Sequence, residues 1–219
     1  MTYRLAIMIS GRGSNMVALA DYALQDTVDA EIAMVVADKP AAGLELAEDR
    51  GIPTKIIDRQ NFTNRQNHEK AIMDTLDTLA VDGVFLAGYM RVLSAEFCQH
   101  FKNRLFNIHP SILPRHKGLD THQRALDAND KTHGCSVHLV TAELDDGPLF
   151  IQREVPVLDG DDAAALAARV LTQEHIIYPM VLGALATGLL EVSDGNIDMK
   201  IGTLPGVIPN CATPINWPA

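Results

Sequence analysis

The strongest constraint in this sequence is a repeated switch between a short, wholly apolar run and a stretch with apolar residues at helical spacing. Residues 5–9 are apolar throughout, SGRGSN occupies 10–15, and 16–24 follow with helical periodicity, which reads as strand, loop and helix. The unit recurs: 31–36 and 54–57 read as strands, 41–49 and 65–79 as helices, and 83–86 as a further buried strand. Strands alternating with helices need crossover connections. The expected fold class is therefore α/β, a single domain on a mostly parallel sheet with helices on both faces. Past a strand at 104–109 the pattern changes. Residues 134–140 and 149–155 read as strands joined by the turn-rich ELDDGP, which puts antiparallel strands toward the C-terminal part, and a long helix over 163–185 closes the core.

Such a sheet is Rossmann-like, and its ligands collect at the carboxyl ends of the strands. SGRGSN and AGYMRVL (87–93) both fall there. With 219 residues, 47% of them hydrophobic, one domain can bury a full core and keep a cleft. The folded domain is expected over 1–192, followed by a surface tail over 193–219, where Pro205, Pro209, Pro214 and Pro218 prevent a continuous helix. The uncharged stretch 176–190 holds Pro179 and is shorter than the roughly 20 residues of a membrane span, so it reads as a core helix. No export signal precedes the first strand, and Cys98, Cys135 and Cys211 show no C-x-x-C spacing; a cytoplasmic chain with reduced thiols is expected. A net charge of −10 argues against a nucleic-acid partner. Any anionic ligand must then be held locally, by loops whose N–H groups converge.

SGRGSN lacks the third glycine of the dinucleotide fingerprint, since Met16 stands there, and no G-K-[ST] follows. What remains is a glycine loop opening a helix, with Ser14 or Asn15 expected as N-cap. It is either a plain capped turn or a seat for one phosphate on free N–H groups. In FNIHPS, alternation puts Asn107 and His109 on one face of the strand and Ile108 on the other, and Pro110 ends the strand with that pair at its tip. In GCSVHLV, Ser136 and His138 share a face in the same way. They need partners if buried, or else form a solvated face. The five histidines from His109 to His138 match no metal spacing, so no metal is expected. Taken alone, the carboxylates of ELDDGP are ordinary turn residues; beside Asn107 and His109, one of them could orient the imidazole and favour its protonated form.

SGRGSN, AGYMRVLS, FNIHPSILP, HGCSVHLVTAELDDGP and TQEHIIYP occur together, in this order, over about residues 4–192. In this the chain resembles the phosphoribosylglycinamide formyltransferases. Asn-x-His-Pro-Ser is shared with other formyl-folate enzymes, whereas the Gly-Ser-Asn loop and HGCSVH point to the glycinamide member. The resemblance implies that Gly13, Ser14 and Asn15 hold the phosphate of glycinamide ribonucleotide and that Glu174 contacts its ribose. It implies that Arg65, Met90, Arg91, Val92, Leu93 and Asn107 receive 10-formyltetrahydrofolate, with backbone groups of Thr141, Ala142 and Glu143 lining the pteridine slot. Asn107, His109 and Asp145 become the catalytic set, with Ser136 and His138 in support. Leu171 stands where some relatives carry a polar residue near the ribonucleotide. The resemblance brings no metal and no membrane, and leaves a homodimer open.

The implied reaction is attack of the ribonucleotide amine on the formyl carbon, through a tetrahedral intermediate, in purine synthesis. Donors aimed at the oxyanion are the largest expected contribution, each worth roughly 100- to 1,000-fold in rate. Asn107 and a protonated His109 are the expected donors, with Asp145 as orienter. The competing formyl-folate enzymes are a formyltetrahydrofolate deformylase, expected to carry an N-terminal regulatory domain, and a methionyl-tRNA formyltransferase, expected to carry a further C-terminal domain. This chain begins at its first strand and ends soon after its last. A competitor of another class is a non-enzymatic nucleotide-binding module, which turnover would distinguish.

Overall fold

The computed structural model describes residues 1–199. Of the surface tail expected over 193–219, residues 200–219, Cys211 included, lie outside the described residues. The chain divides after Asn107 into two compact units.

The first unit carries β1 (Tyr3–Ile9), α1 (Ser14–Ala23), β2 (Ala30–Ala37), α2 (Ala42–Glu48), β3 (Thr54–Ile56), α3 (Arg65–Asp77), β4 (Gly83–Leu86) and α4 (Ala95–His100), and β5 (Leu105–His109) begins in it. All the pairings are parallel, in the order β3-β2-β1-β4-β5. Every residue of β1 from Leu5 to Ile9 and all of β4 is buried, which is why both read as continuous apolar runs rather than alternating ones. α1 packs against α2, and α3 against α4. Phe85 and Phe106 meet across the β4–β5 pair at 4.8 Å between ring centres. The chain leaves β1 to one side through β2 and β3, then returns to place β4 on the other. That reversal makes the carboxyl ends of β1 and β4 the topological switch point of the sheet. There the Ser10 N–H donates to the Gly88 carbonyl (3.2 Å), and the Met90 N–H donates to Ser10 Oγ (2.9 Å).

The second unit carries α5 (Thr121–Asp127), the antiparallel pair β6 (Thr132–Leu139) and β7 (Leu149–Pro156), α6 (Ala163–Ala186), and a hairpin of β8 (Leu190–Ser193) and β9 (Asn196–Met199). The 24-residue α6 packs on both β6 and β7 and contains Pro179. Among the described residues, no helix is long and apolar enough to cross a membrane.

The α/β class, the mostly parallel pairing and the antiparallel strands toward the C-terminal part are as expected. The expected N-cap is not. Helix α1 is capped by Gly13, in the left-handed region at φ 76°, and no side chain caps it; Ser14 is already its first residue. A Cβ on Gly13 would lie 2.8 Å from the Gly43 Cα. The Gly43 N–H donates to the Gly11 carbonyl at 3.1 Å. Loop and α2 approach so closely that glycine takes the position a capping side chain would occupy.

Candidate active site

Strand β5 delivers Asn107 and His109 to one side of its end, Asn107 half-buried and His109 buried. The turn that follows folds back onto the imidazole. His109 Nε2 lies 3.1 Å from the His116 carbonyl. A carbonyl only accepts, so Nε2 carries the hydrogen, and in the neutral ring Nδ1 keeps a lone pair. That Nδ1 lies 3.5 Å from Asp145 Oδ2. His138 mirrors the arrangement. Its Nδ1 donates to the Leu139 carbonyl at 2.7 Å, and its Nε2 lies 3.6 Å from Asp145 Oδ1. One carboxylate therefore lies between two imidazoles, each with its far nitrogen committed to a backbone carbonyl.

Asp145 reaches this position because the β6–β7 turn is tight. A Cβ on Gly147 would fall 1.9 Å from the Leu139 carbonyl oxygen, so only glycine lets the turn fold onto the end of β6. Asp145 itself sits at φ 47° and accepts the Gly118 N–H at 2.8 Å through Oδ2. Burial would raise its pKa, but hydrogen bonds from His138 and Gly118 and the charges of the two histidines outweigh burial, and the carboxyl is held below its usual range. His109 moves the other way. Burial lowers its pKa, and the bond to His116 and the Asp145 charge oppose this without cancelling it. The carboxylate acts on the ring in the expected direction, favouring the protonated form, but desolvation is larger. The net direction for His109 is toward the neutral ring.

Ser136 is buried and holds the turn after His109. It donates to the Ser111 carbonyl at 2.6 Å and accepts the Leu113 N–H at 3.1 Å and Gln152 Nε2 at 2.8 Å. The solvated-face reading of Ser136 and His138 fails, because both are buried and partnered. Gln152, which also donates to the Leu113 carbonyl at 2.9 Å, was not singled out from the sequence. Its signal was an amide inside an apolar strand, directly opposite Ser136 in the β6–β7 register. The His116 carbonyl and Gly118 N–H were missed as well, and backbone groups leave no mark on a side-chain pattern. Around them, His116 Nε2 meets Asp130 Oδ2 at 2.7 Å and His133 Nε2 meets His122 Nδ1 at 3.1 Å. Burial, with the nearby charges of His122 and His116, pulls His133 down to about 4. No group of three or more His, Cys, Asp or Glu side chains is arranged to hold a metal among the described residues.

The remaining positions are distributed along the chain. Gly13 and Asn15 are buried at the start of α1 and Ser14 is half-buried. Glu174 is a buried carboxylate of α6, close enough to Cys135 to help burial push that thiol up. Arg65, the first residue of α3, donates from Nε to Glu69 Oε1 at 2.8 Å, and Arg91 donates from Nε to Asp38 Oδ2 at 2.9 Å. Met90 and Val92 are 64% and 59% exposed, whereas Leu93 is turned into the core. Met90 and Val92 thus face outward, and Leu93 can offer a ligand only its backbone. Thr141, Ala142 and Glu143 are exposed on the β6–β7 connection.

An imidazole at the end of a strand with a carboxylate 3.5 Å from its Nδ1 is a pair of the kind that serves acid–base chemistry in enzymes. A family model described as formyl transferase matches residues 3–182. The chain belongs to the formyl transferase family. It is 42% identical over 191 residues to the phosphoribosylglycinamide formyltransferase of Escherichia coli strain K12, an alignment covering 87% of this chain and 90% of that one. The solved structure of glycinamide ribonucleotide transformylase 1 from Symbiobacterium toebii matches with a TM-score of 0.86 at 37% identity, covering 90% of this chain and 94% of the other. The phosphoribosylglycinamide formyltransferase of Brucella melitensis matches with a TM-score of 0.82 at 49% identity, covering 88% of this chain and all 100% of that one.

Proposed function

We propose that the chain transfers the formyl group of 10-formyltetrahydrofolate to the amine of glycinamide ribonucleotide in purine synthesis, by direct attack through a tetrahedral intermediate. The observation that carries the mechanism is the setting of His109: Nε2 lies 3.1 Å from the His116 carbonyl and Nδ1 3.5 Å from Asp145 Oδ2. A neutral imidazole suits an amine nucleophile, which must lose a proton as it bonds to carbon. His109 takes that proton, and the imidazolium so formed is stabilised by the Asp145 carboxylate beside Nδ1. Asn107 supplies the amide donor for the oxyanion in the first step. His109 returns the proton to the departing folate nitrogen. His138 and Ser136 keep Asp145 and the turn after His109 in place.

Gly13, Ser14 and Asn15 hold the ribonucleotide phosphate on the N–H groups opening α1, and Glu174 takes its ribose. Arg65, Met90, Arg91, Val92 and Leu93, with Asn107 and the backbone of Thr141, Ala142 and Glu143, receive the folate. The exposed apolar faces of Met90 and Val92 beside two guanidinium groups suit a flat ring system bearing carboxylates. The chain works in the cytosol, where the free thiols of Cys98 and Cys135 stay reduced, and a homodimer is the assembly to look for by sedimentation.

The test is turnover. The protein mixed with 10-formyltetrahydrofolate and glycinamide ribonucleotide should change the folate absorbance only when both are present. Release of formate without the ribonucleotide would instead indicate a deformylase.

A further inference from the structure

Irregular backbone supplies a partner to each member of the His109–Asp145 pair. His109 Nε2 lies 3.1 Å from the His116 carbonyl, and Asp145 Oδ2 accepts the Gly118 N–H at 2.8 Å. Both backbone groups come from residues 115–120, which lie between β5 and α5 and form neither helix nor strand. The shape of this segment is an unfavourable one. His116 and Asp120 sit in the left-handed region at φ 54° and 56°, as does Gly118 at 81°. Glycine adopts that region freely, whereas a histidine stays there only where its surroundings over-determine it.

What holds His116 is Asp130, whose side chain is 5% exposed. Its Oδ2 accepts His116 Nε2–H at 2.7 Å, and its Oδ1 accepts Arg115 Nη2. One buried carboxylate thus grips two consecutive side chains, and the carbonyl that faces His109 belongs to the second of them. Burial alone would raise the Asp130 pKa, but these donors outweigh it and hold the carboxyl below its usual range. The neighbouring backbone is tied as well. Ser111 Oγ donates to the Arg115 carbonyl at 2.6 Å, Arg124 Nη1 to the Lys117 carbonyl at 2.6 Å, and Lys117 Nζ to Asp146 Oδ1 at 2.5 Å. The last pair is largely exposed and contributes little. Asp130 is the buried anchor.

We infer that Asp130 is a positioning residue for the His109–Asp145 pair: by gripping Arg115 and His116 it fixes the left-handed turn that presents the His116 carbonyl to His109 and the Gly118 N–H to Asp145. This rests on the acid–base reading of His109 above and deepens it, since the ring owes its setting to a second carboxylate that acts only through the backbone. The consequence has a sign. Burial lowers the His109 pKa, and the His116 carbonyl is the foremost group opposing it; Asp145 also raises it, and His138 and Arg124 lower it. These charged groups, with His122, which senses the ring as well, stand on the β6–β7 turn, β6 and α5. Loosening the carbonyl should therefore lower the His109 pKa further.

Two readouts test this: the acid limb of kcat/KM, and the NMR titration of the His109 ring in the ligand-free protein. Asp130→Ala should lower kcat roughly tenfold or more, within what a small misplacement of a catalytic group costs. It should also move both readouts down by about one pH unit, the scale of one hydrogen bond to a charged group. Arg115→Met separates grip from charge. Loss of a positive charge would raise the His109 pKa through space, whereas a loosened turn should lower it, by a smaller step than in Asp130→Ala. Leu166→Ala, a buried position of α6, should lower the melting temperature and leave the titration in place. A His109 titration that stays put or rises in Asp130→Ala or Arg115→Met, or that falls equally in Leu166→Ala, would overturn the inference. Should Asp130→Ala fail to fold, Arg115→Met decides by the same sign. A wild type that transfers no formyl group, with His109 titrations that shift as stated, defeats the functional reading alone.

Discussion

Asp145 acts on two imidazoles at once, and its effect on His109 sets a measurable pH dependence. The His109 pKa lies below its ordinary value because burial outweighs the Asp145 charge. The acid limb of the rate profile, where the base becomes protonated, should therefore fall below about 6.5. Asp145→Asn preserves shape but removes the charge that raises the His109 pKa, so this limb should move to still lower pH. Turnover should drop at least roughly 100-fold, the lower end of acid–base contributions. Ribonucleotide affinity should survive. Because Asp145 works through His109, adding His109→Ala should cost far less than the product of the single losses. Stopped-flow folate absorbance across pH reads both effects, and a multiplicative double mutant or an unmoved acid limb would remove Asp145 from the mechanism. At this scale the sequence told much: Asn107, His109 and the ELDDGP carboxylates stood out by residue type and spacing. It could not tell the charge state of His109, because desolvation depends on the fold around the ring.

Among elements, the strands were the most legible. β4 is buried throughout, β1 from Leu5 onward and β2 over most of its second half, and continuous apolar runs survive in sequence without knowledge of their partners. Two of the three short helices were not read: α4 has six residues and α5 seven, whereas α2, also seven, was read. The β8–β9 hairpin turns on Asp194 and Gly195, both at positive φ, and was likewise missed. The cap of α1 was misread for a tertiary reason, the closeness of Gly43. Gly13→Ala would force a Cβ into both a left-handed conformation and the Gly43 Cα at 2.8 Å. The conformational part alone costs about 1–2 kcal/mol, so thermal or urea unfolding should register at least that loss, and phosphate or sulfate affinity at the loop should fall with it. If the alanine variant unfolds at the wild-type midpoint, the close approach of loop and α2 does not constrain this turn.

Across the whole molecule, charge is unevenly put to use. The chain is acidic, at −10, yet the histidines with shifted pKa values are concentrated in one unit. His109, His122, His133 and His175 all have pKa values lowered, chiefly by burial, and all four belong to the second unit. Each is neutral in the fold but binds a proton near pH 6.5 when unfolded, so the unfolded state holds more protons between that pH and the folded pKa. Stability must therefore fall as pH falls through this window, which for His133 extends from 6.5 down to about 4. The carboxyls of Asp130, Asp145 and Asp161 are held below their usual value; their contribution is present above it and is lost on further acidification, for Asp161 as pH falls toward about 2. The two sets add in sign and follow one another in pH. The hydrogen bond between His133 Nε2 and His122 Nδ1 adds a specific weak point, since it needs one ring nitrogen to remain unprotonated. The melting temperature should thus decline steadily from pH 7 to pH 5, and hydrogen exchange should show β6, β7 and the 110–130 segment losing protection before β1, β2 and β4. His133→Gln, which cannot gain a proton in this range, should flatten the decline even if it lowers the melting temperature at pH 7. Uniform loss of protection in both units, or an unchanged slope in the glutamine variant, would place the acid lability elsewhere than in these buried imidazoles.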